Sequence, residues 1–402
     1  MTNPFMNQSV RQSVRLSAGF LSLCAFMAMA APGQAQTASY HDRDDDPSAN
    51  NSGAVFAMTN IAAGNQIVVF SRMADGTLKA AGRVSTGGNG KGDDFDTQDG
   101  LVLSDNHRFL YACNAGSNDI SVFAVSGAKL TLIQKINSEG VVPESLTFHD
   151  NLMYVLHGSV ADNNISGFLV ARNGTLSPLP YSTQPLSSPI AVPGHVQFSP
   201  DGRVLVVTQK SVQLGVPAGP FVIDTFTVGP DGRASEAHPQ KSFGRRPFAS
   251  YFRKDGLMLV VESHNPFPNQ AAVSSYSVDS NTGDISVITG SEQNGQTDSC
   301  WVLLSKDERF AFTANFASGT ISSFRVNTNG KIELINGAAA FTGATSEPTD
   351  IRISADGRFF YTLLRGSGTV AAFRIGANAR LLPLGVIGGL PANTGASGMA
   401  AY

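Results

Sequence analysis

The side chains of this chain that could do acid–base chemistry stand at the ends of short apolar segments. One set precedes such segments: Asp99, Glu144, His195, Arg246 and Glu347. A second set follows the next apolar segment along the chain: His157, Lys210, Glu262, His264 and Arg365. A histidine beside a carboxylate can act as a general base, and Lys or Arg can hold a substrate anion or a developing oxyanion. Gathered at one end of a fold, these groups would suit a small anionic or polyhydroxylated ligand.

The apolar segments themselves repeat. Residues 198–207 read Phe-Ser-Pro-Asp-Gly-Arg followed by four apolar residues, and residues 353–362 read Ile-Ser-Ala-Asp-Gly-Arg followed by a similar run. Weaker copies begin at Leu103 and Leu304. Two apolar runs joined by a turn of Gly, Asp or Asn are typical of a β-hairpin. The repeat therefore predicts one supersecondary unit used many times.

The spacing of the hairpins predicts the fold. Their first strands begin at six positions about 50 residues apart, the length of a four-stranded propeller blade: Leu101, Leu146, Val196, Ala249, Val302 and Ile351. Residues 55–82 match the last three strands of a seventh unit, and residues 398–402 match its missing first strand. We therefore predict an all-β, seven-bladed β-propeller with four-stranded blades, whose ring is closed by the C-terminal strand pairing in blade 1.

A propeller would position the chemistry at one face. The connections into strand 1 and out of strand 2 of every blade surround one opening of the central channel, which we call the channel mouth, and the Asp-Gly turns lie on the other face. The predicted catalytic residues are His195, His264 and Glu262, and the predicted substrate-binding residues are Arg246, His157, Lys210, Glu144 and Arg365. A structural or solvated role is the alternative for each, because loops of any propeller are polar.

The N-terminal residues predict export. Arg11 and Arg15 precede an apolar stretch, and a small-residue cleavage site follows at residues 33–35, so residues 1–35 resemble a secretory signal peptide. Residues 36–53 are predicted to be a disordered acidic linker, although the acid run beside His41 could bind a divalent cation weakly. The propeller is predicted over residues 54–402, in a periplasmic or extracellular protein.

Composition excludes several classes of function. Removing the signal peptide takes away two arginines and changes the formal net charge from −3 to −5, which leaves no basic surface for nucleic acid. Cys113 and Cys300 fall in different blades, so we expect free thiols. No zinc-ligand spacing and no phosphate-binding glycine loop occurs in the sequence. We therefore expect no cofactor, no metal and no membrane contact after cleavage, and a monomer acting on a small molecule.

The repeat resembles a known family. Ser-Pro-Asp-Gly-Arg, followed by Asn-x-Gly-Ser and a Ser-x-Phe strand as in residues 114–123, is similar to the seven-bladed lactonase family. That family includes the propeller-type 6-phosphogluconolactonases and the carboxymuconate cyclases. The resemblance covers essentially the whole mature chain. It implies a lactone or sugar derivative as substrate, and a His in one blade acting with an Arg and a Glu in the next.

The implied residues can be located in this sequence. His195 stands at the family's histidine, within His-Val-Gln-Phe-Ser-Pro-Asp-Gly. In the family the arginine comes directly after a proline, whereas here Arg245 and Arg246 come directly before Pro247. His264 stands at the position of the family's glutamate, with Glu262 two residues earlier.

Two functions of different classes follow. The first is an exported lactonase that hydrolyses a sugar-derived lactone, with His195 or His264 as the general base and with Arg246 and Lys210 binding the substrate anion or the oxyanion. The second is a non-catalytic exported scaffold that binds a small ligand, a glycan or a protein. The scaffold would use the channel mouth or the loops at residues 213–217 and 265–268, which could also form a lid.

Overall fold

Seven antiparallel sheets form the structure, a computed structural model that describes residues 53–93, 95, 97–159, 162–212 and 221–402. The predicted signal peptide and all of the predicted linker except Gly53 lie outside the described residues. Within the described residues, no helix is long and apolar enough to cross a membrane. The only helical element among them is a single 3₁₀ turn at Ala377–Ala379.

Each sheet is one blade. The strands of blades 1 to 4 are β1 (Gly53–Met58), β2 (Gln66–Arg72) and β3 (Leu78–Ser85); β4 (Leu101–Leu103), β5 (Phe109–Asn114), β6 (Asp119–Ser126) and β7 (Lys129–Asn137); β8 (Pro143–His149), β9 (Leu152–His157), β10 (Asn164–Val170), β11 (Leu176–Pro178) and β12 (Gln184–Pro185); and β13 (Ala191–Phe198), β14 (Val204–Val212), β15 (Val222–Thr227) and β16 (His238–Lys241).

The remaining strands complete the ring. The strands of blades 5 to 7 are β17 (Pro247–Phe252), β18 (Met258–Glu262), β19 (Ala272–Val278) and β20 (Ile285–Gln293); β21 (Ser299–Leu304), β22 (Phe310–Asn315), β23 (Thr320–Val326) and β24 (Ile332–Phe341); and β25 (Pro348–Ile353), β26 (Phe359–Leu364), β27 (Thr369–Ile375) and β28 (Leu381–Gly388). The last strand, β29 (Met399–Ala401), returns to blade 1. In blade 3 the outer edge is split, because both β11 and β12 pair with β10.

The C-terminal strand closes the ring, as predicted. β29 pairs antiparallel with β1 and takes the innermost place in blade 1, so the predicted seven-bladed propeller is confirmed. The carboxylate of Asp350, on the innermost strand of blade 7, accepts the N–H groups of Gly398 and Met399 at 3.2 and 2.9 Å. Arg72 donates from Nε to the Tyr402 carbonyl oxygen at 2.8 Å. Closure therefore removes the open edge that a linear stack of blades would leave.

The repeated Ser-x-Asp-Gly phrase forms the hairpin turns. In blade 4, Ser199 donates from Oγ to Asp201 at 2.6 Å and accepts the N–H of Val204 at 3.0 Å, and Gly202 has φ = 70°. The left-handed conformation is the reason for glycine at this position. The weaker copies place His107 and Glu308 there, at φ = 57° and 58°. The phrase thus encodes turn geometry, on the face opposite the channel mouth.

In blades 3 to 7 the innermost strand begins earlier than the predicted apolar run. Predicted starts at Leu146 and Val196 move to Pro143 and Ala191 in the structure. The sheet ladder continues through the polar residues because bulges, at Pro143/Ser145 and Pro193/His195, absorb the change of register. This corrects the predicted placement of Glu144 and His195, which lie inside strands rather than in the connections before them.

Candidate functional site

Two segments at the mouth end of blade 5 bring predicted residues together. The segment entering β17 runs beside the segment leaving β18, because Ser263 and His264 donate their N–H groups to the carbonyl oxygens of Arg246 and Arg245 at 3.1 and 3.3 Å. Arg246 and His264 both have left-handed backbones, with φ = 56° and 53°. This conformation costs a residue with a side chain about 1–2 kcal/mol. Two residues of the predicted site are therefore held next to each other at a conformational cost.

Glu262 is a fixed carboxylate behind these residues. It is the last residue of β18 and is fully buried. Its two oxygens accept hydrogen bonds from the Gly244 N–H and from the hydroxyls of Ser274 and Ser291. A Cβ atom at position 244 would lie 1.8 Å from Oε2, so only glycine leaves room for the carboxylate there. Gly244 is therefore required for the observed position of the Glu262 carboxylate.

The imidazole of His264 lies against that carboxylate. Its Nε2 is 3.6 Å from Oε2 of Glu262, and the residue is 9% exposed. A buried carboxylate at this distance stabilises the imidazolium that forms when a histidine takes up a proton. His264 and Glu262 therefore form a pair with the chemistry of a general base and its supporting anion.

Lys210 adds a buried cation from the neighbouring blade. The residue lies in β14 and is fully buried, and its Nζ lies 4.3 Å from the centroid of the Phe248 ring. Since Phe248 follows Pro247 in β17, the ammonium group reaches from blade 4 toward the strand that Arg246 precedes. We call Lys210, Arg246, Glu262 and His264 the candidate site.

His195 lies elsewhere, in the wall of the central channel. The residue is fully buried, and its Nε2 is 2.8 Å from Oδ2 of Asp99. Its Nδ1 accepts the N–H of Ser250 at 3.3 Å and lies 3.2 Å from the Ser250 hydroxyl. A backbone N–H can only donate, so Nδ1 carries the lone pair and Nε2–H donates to Asp99. Both ring nitrogens are therefore occupied within the protein.

Residues 97–99 occupy the central channel at the level of His195. Gln98 donates its N–H to the carbonyl oxygen of Gly194 in blade 4 at 3.0 Å and accepts the N–H of Val302 in blade 6 at 3.4 Å. Thr97 donates to the carbonyl oxygen of Glu144 in blade 3 at 2.6 Å. Asp99 also lies 3.3 Å from the Arg352 guanidinium in blade 7. Residues 97–99 thus contact four blades, and all three are buried.

Burial shifts the pKa values of the charged groups around this segment. It lowers the pKa of Arg352 to about 10, and it raises the pKa of Asp350 well above its ordinary value. Sequence reasoning missed the whole network, because Asp99 is 96 residues from His195 and 253 from Arg352. No local pattern marks contacts of that separation.

Of the other predicted binding residues, Glu144 and Arg365 have charged partners, and His157 is buried. Glu144 lies 3.7 Å from the Lys91 ammonium group, and Arg365 donates from Nε to Glu347 at 2.9 Å. Burial lowers the pKa of Arg365 to about 10 and raises that of Glu347. Burial likewise lowers the pKa of His157 to about 4, so this imidazole is neutral at pH 7. Their roles in binding stay predictions.

The two cysteines of the described residues are buried thiols. Cys113 and Cys300 are not in a disulfide, as predicted, and burial raises the pKa of the Cys113 thiol. Across the described ranges, no group of three or more His, Cys, Asp or Glu side chains is placed to hold a metal ion. The loop at residues 213–217, predicted as a lid or partner site, lies outside the described residues.

Solved structures share the fold at low sequence identity. A candidate 6-phosphogluconolactonase of Bacteroides uniformis is 17% identical with a TM-score of 0.68, covering 88% of this chain and 100% of that one. A second, from Bacteroides fragilis, is 16% identical with a TM-score of 0.62, covering 90% and 100%. The periplasmic gluconolactonase PpgL of Pseudomonas aeruginosa is 15% identical with a TM-score of 0.63, covering 87% and 99%. No curated protein sequence matches significantly.

The sequence itself matches a family model, described as "Lactonase, 7-bladed beta-propeller", over residues 62–193 and 222–346. These two stretches make up more than half of the 402 residues, and they run from blade 1 into blade 6. The resemblance predicted from the repeat is therefore confirmed, and the chain belongs to the seven-bladed β-propeller lactonase family.

Proposed function

We propose that this protein hydrolyses a sugar-derived lactone at the candidate site, with His264 as the general base. The observation that carries the proposal is the His264–Glu262 pair, 3.6 Å apart and beside Arg246 at the channel mouth of a lactonase-family propeller. Lactone hydrolysis needs a base for water and positive groups for the oxyanion. The candidate site supplies both kinds of group.

The reaction follows from the groups present. His264 removes a proton from a water molecule as its oxygen attacks the lactone carbonyl carbon, and Glu262 stabilises the imidazolium. The charge that develops on the carbonyl oxygen is balanced by Arg246 or Lys210. The tetrahedral intermediate then collapses, the ring C–O bond breaks, and His264 returns the proton to the leaving alkoxide. The product is the open hydroxy acid, and no other reactant is required.

His195 is the alternative base, and its geometry favours a structural role. Its Nδ1 is capped by a backbone N–H and its Nε2–H is directed at Asp99. Activating a water at either nitrogen would require one of these hydrogen bonds to break inside a closed channel. In contrast, the described side-chain contact of His264 involves only its Nε2, which lies beside the Glu262 carboxylate.

Substrate and compartment complete the proposal. Neighbouring structures named as gluconolactonases support a sugar lactone, and the signal-like residues 1–35 support export to the periplasm or beyond. We propose that the exported protein works as a monomer on this small molecule. Cell fractionation with an antibody to the propeller tests the location, and retention in the cytoplasm would contradict it.

The test of activity uses purified protein from residue 36 onward. We expect hydrolysis of at least one of three lactones: glucono-1,5-lactone, its 6-phosphate and an acyl-homoserine lactone. Hydrolysis is measured as the release of protons. His264→Gln should lower kcat at least a hundredfold, since general base catalysis contributes about 10²–10⁴. His238→Gln is the matched control, because that histidine is half exposed on an outer strand.

The outcomes distinguish His264 from His195 as the general base, and a lactonase from a non-catalytic scaffold. If His195→Ala removes activity while His264→Gln retains it, the base is His195 and the channel must open. If folded wild-type protein turns over no lactone in the panel, the non-catalytic scaffold replaces the lactonase.

A further inference from the structure

One arginine next to the candidate site has no role in the reaction proposed above. Arg245 precedes Arg246 and is exposed, and among the described residues no ion pair joins it to a carboxylate. Its Cζ lies 4.9 Å from the centroid of the Phe267 ring and 5.8 Å from that of Phe221. A guanidinium held against aromatic faces keeps its N–H edge available for an anion.

The stacked arginine is tied to the proposed base. The carbonyl oxygen of Arg245 accepts the N–H of His264 at 3.3 Å, and the N–H of Phe267 donates to the carbonyl oxygen of His264 at 3.0 Å. The ring that supports the guanidinium and the imidazole that would activate water therefore belong to one short hydrogen-bonded loop.

The aromatic ring nearest the guanidinium lies at the protein surface. Phe267 is 41% exposed, so the arginine stacked on it lies where a ligand can reach it. A ligand carboxylate or phosphate can there meet the planar guanidinium edge in a charge-assisted contact.

We propose that Arg245 determines specificity by binding a carboxylate or phosphate group that the substrate carries outside its lactone ring. This rests on the proposed lactone hydrolysis for its substrate, although binding of the ring-opened product tests it separately. Arg245 would make a charge-assisted, two-pronged contact, and Phe267 and Phe221 would hold its plane. The lactone carbonyl would then lie toward His264 and Arg246.

The experiment compares substrates that differ only in the remote charge. These are glucono-1,5-lactone, which is neutral, its 6-phosphate, and glucaro-1,5-lactone, which carries a carboxylate at C6. Arg245→Gln should lower kcat/KM for a charged substrate about tenfold to a hundredfold, and for the neutral one less than threefold. Phosphate and carboxylate substrates together show which anion is preferred.

The matched control is Arg325→Gln. Arg325 is also exposed and also lies over a phenylalanine, with Cζ 6.0 Å from the Phe310 centroid, but it belongs to blade 6. We expect no change in either substrate class. Phe267→Leu keeps the apolar volume and removes the aromatic face, so it should give part of the Arg245→Gln loss.

Calorimetric binding of 6-phosphogluconate and gluconate separates the two proposals. If no lactone is hydrolysed but Arg245→Gln weakens 6-phosphogluconate binding and leaves gluconate binding alone, the specificity role stands and the enzyme proposal fails. If lactones are hydrolysed and Arg245→Gln affects charged and neutral compounds equally, or neither, the specificity role is wrong.

Discussion

Replacing Asp99 tests whether the closed channel holds the ring together. Asp99→Ala leaves the Nε2–H of His195 and the Arg352 guanidinium without their shared acceptor, and both residues are almost completely buried. Removing one partner from a buried charged pair costs about 3–5 kcal/mol. We expect the loss to appear in the melting temperature, because Asp99 links the innermost strands of blades 4 and 7 to the segment that enters blade 2.

The expected shift can be worked out. Unfolding entropy of about 2.1 cal/mol/K per residue, over about 350 residues, gives roughly 0.7 kcal/mol/K. A loss of about 3–5 kcal/mol therefore lowers Tm by about 4–7 °C. Asp99→Asn should lose less, about 1–3 kcal/mol, because its oxygen still accepts from Arg352 while its amide opposes the His195 Nε2–H.

Differential scanning calorimetry of Asp99→Ala, Asp99→Asn and the wild type measures this series. Asp284→Ala is the control, since that carboxylate is 60% exposed and its loss should change Tm by under about 1 °C. An Asp99→Ala shift no larger than the control shift would refute the reasoning, since it would mean that the channel network contributes no stability.

Two further predictions follow from single residues. His157 is buried, and its pKa is lowered to about 4 from an ordinary value near 6.5. Between these two pH values the unfolded chain binds a proton that the folded chain does not, so the free energy of unfolding decreases as the pH is lowered. From pH 7.5 to pH 5 the loss should be about 2 kcal/mol, and His157→Phe should remove that part of the pH dependence of Tm; equal slopes for both proteins would contradict it. Gly244→Ala would push a methyl group into the Glu262 carboxylate, so kcat/KM for lactone hydrolysis should fall at least tenfold. Gly388→Ala, where a methyl group meets open space, should have no effect, and equal effects of the two changes would show that Glu262 does not support the reaction.

The fold could be predicted because several blades encode their hairpin turn in a short local sequence. Ser199 and Asp201 hold the hairpin with bonds inside five residues, and the same pattern recurs at Ser354 and Asp356. Local chemistry repeated at a fixed period is visible in one sequence. The closing strand β29 was predictable for a different reason, since one blade lacked a strand and a short apolar segment remained.

The site could be predicted only in part. Arg246, Glu262 and His264 come together because the connections of one blade run side by side, which topology alone implies. His195 fits the family motif equally well, yet its partners Asp99 and Ser250 come from blades 2 and 5. Which way a strand residue faces depends on register, and the bulge at Pro193/His195 alters register where the motif cannot show it.

Backbone strain alone does not identify the site. Left-handed residues also enter other blades, at Asp99, Asp298 and Glu347, so the conformation belongs partly to the way a blade begins. Blade 5 differs because its entry residue, Arg246, and its exit residue, His264, are both strained residues with side chains, joined through neighbouring hydrogen bonds. Two neighbouring ionisable residues that both carry a conformational cost, with a buried carboxylate beside one of them, support the proposed chemistry at this end of blade 5. In that proposal the channel centre, filled and hydrogen-bonded by the chain itself, serves stability, and the rim of blade 5 serves the reaction.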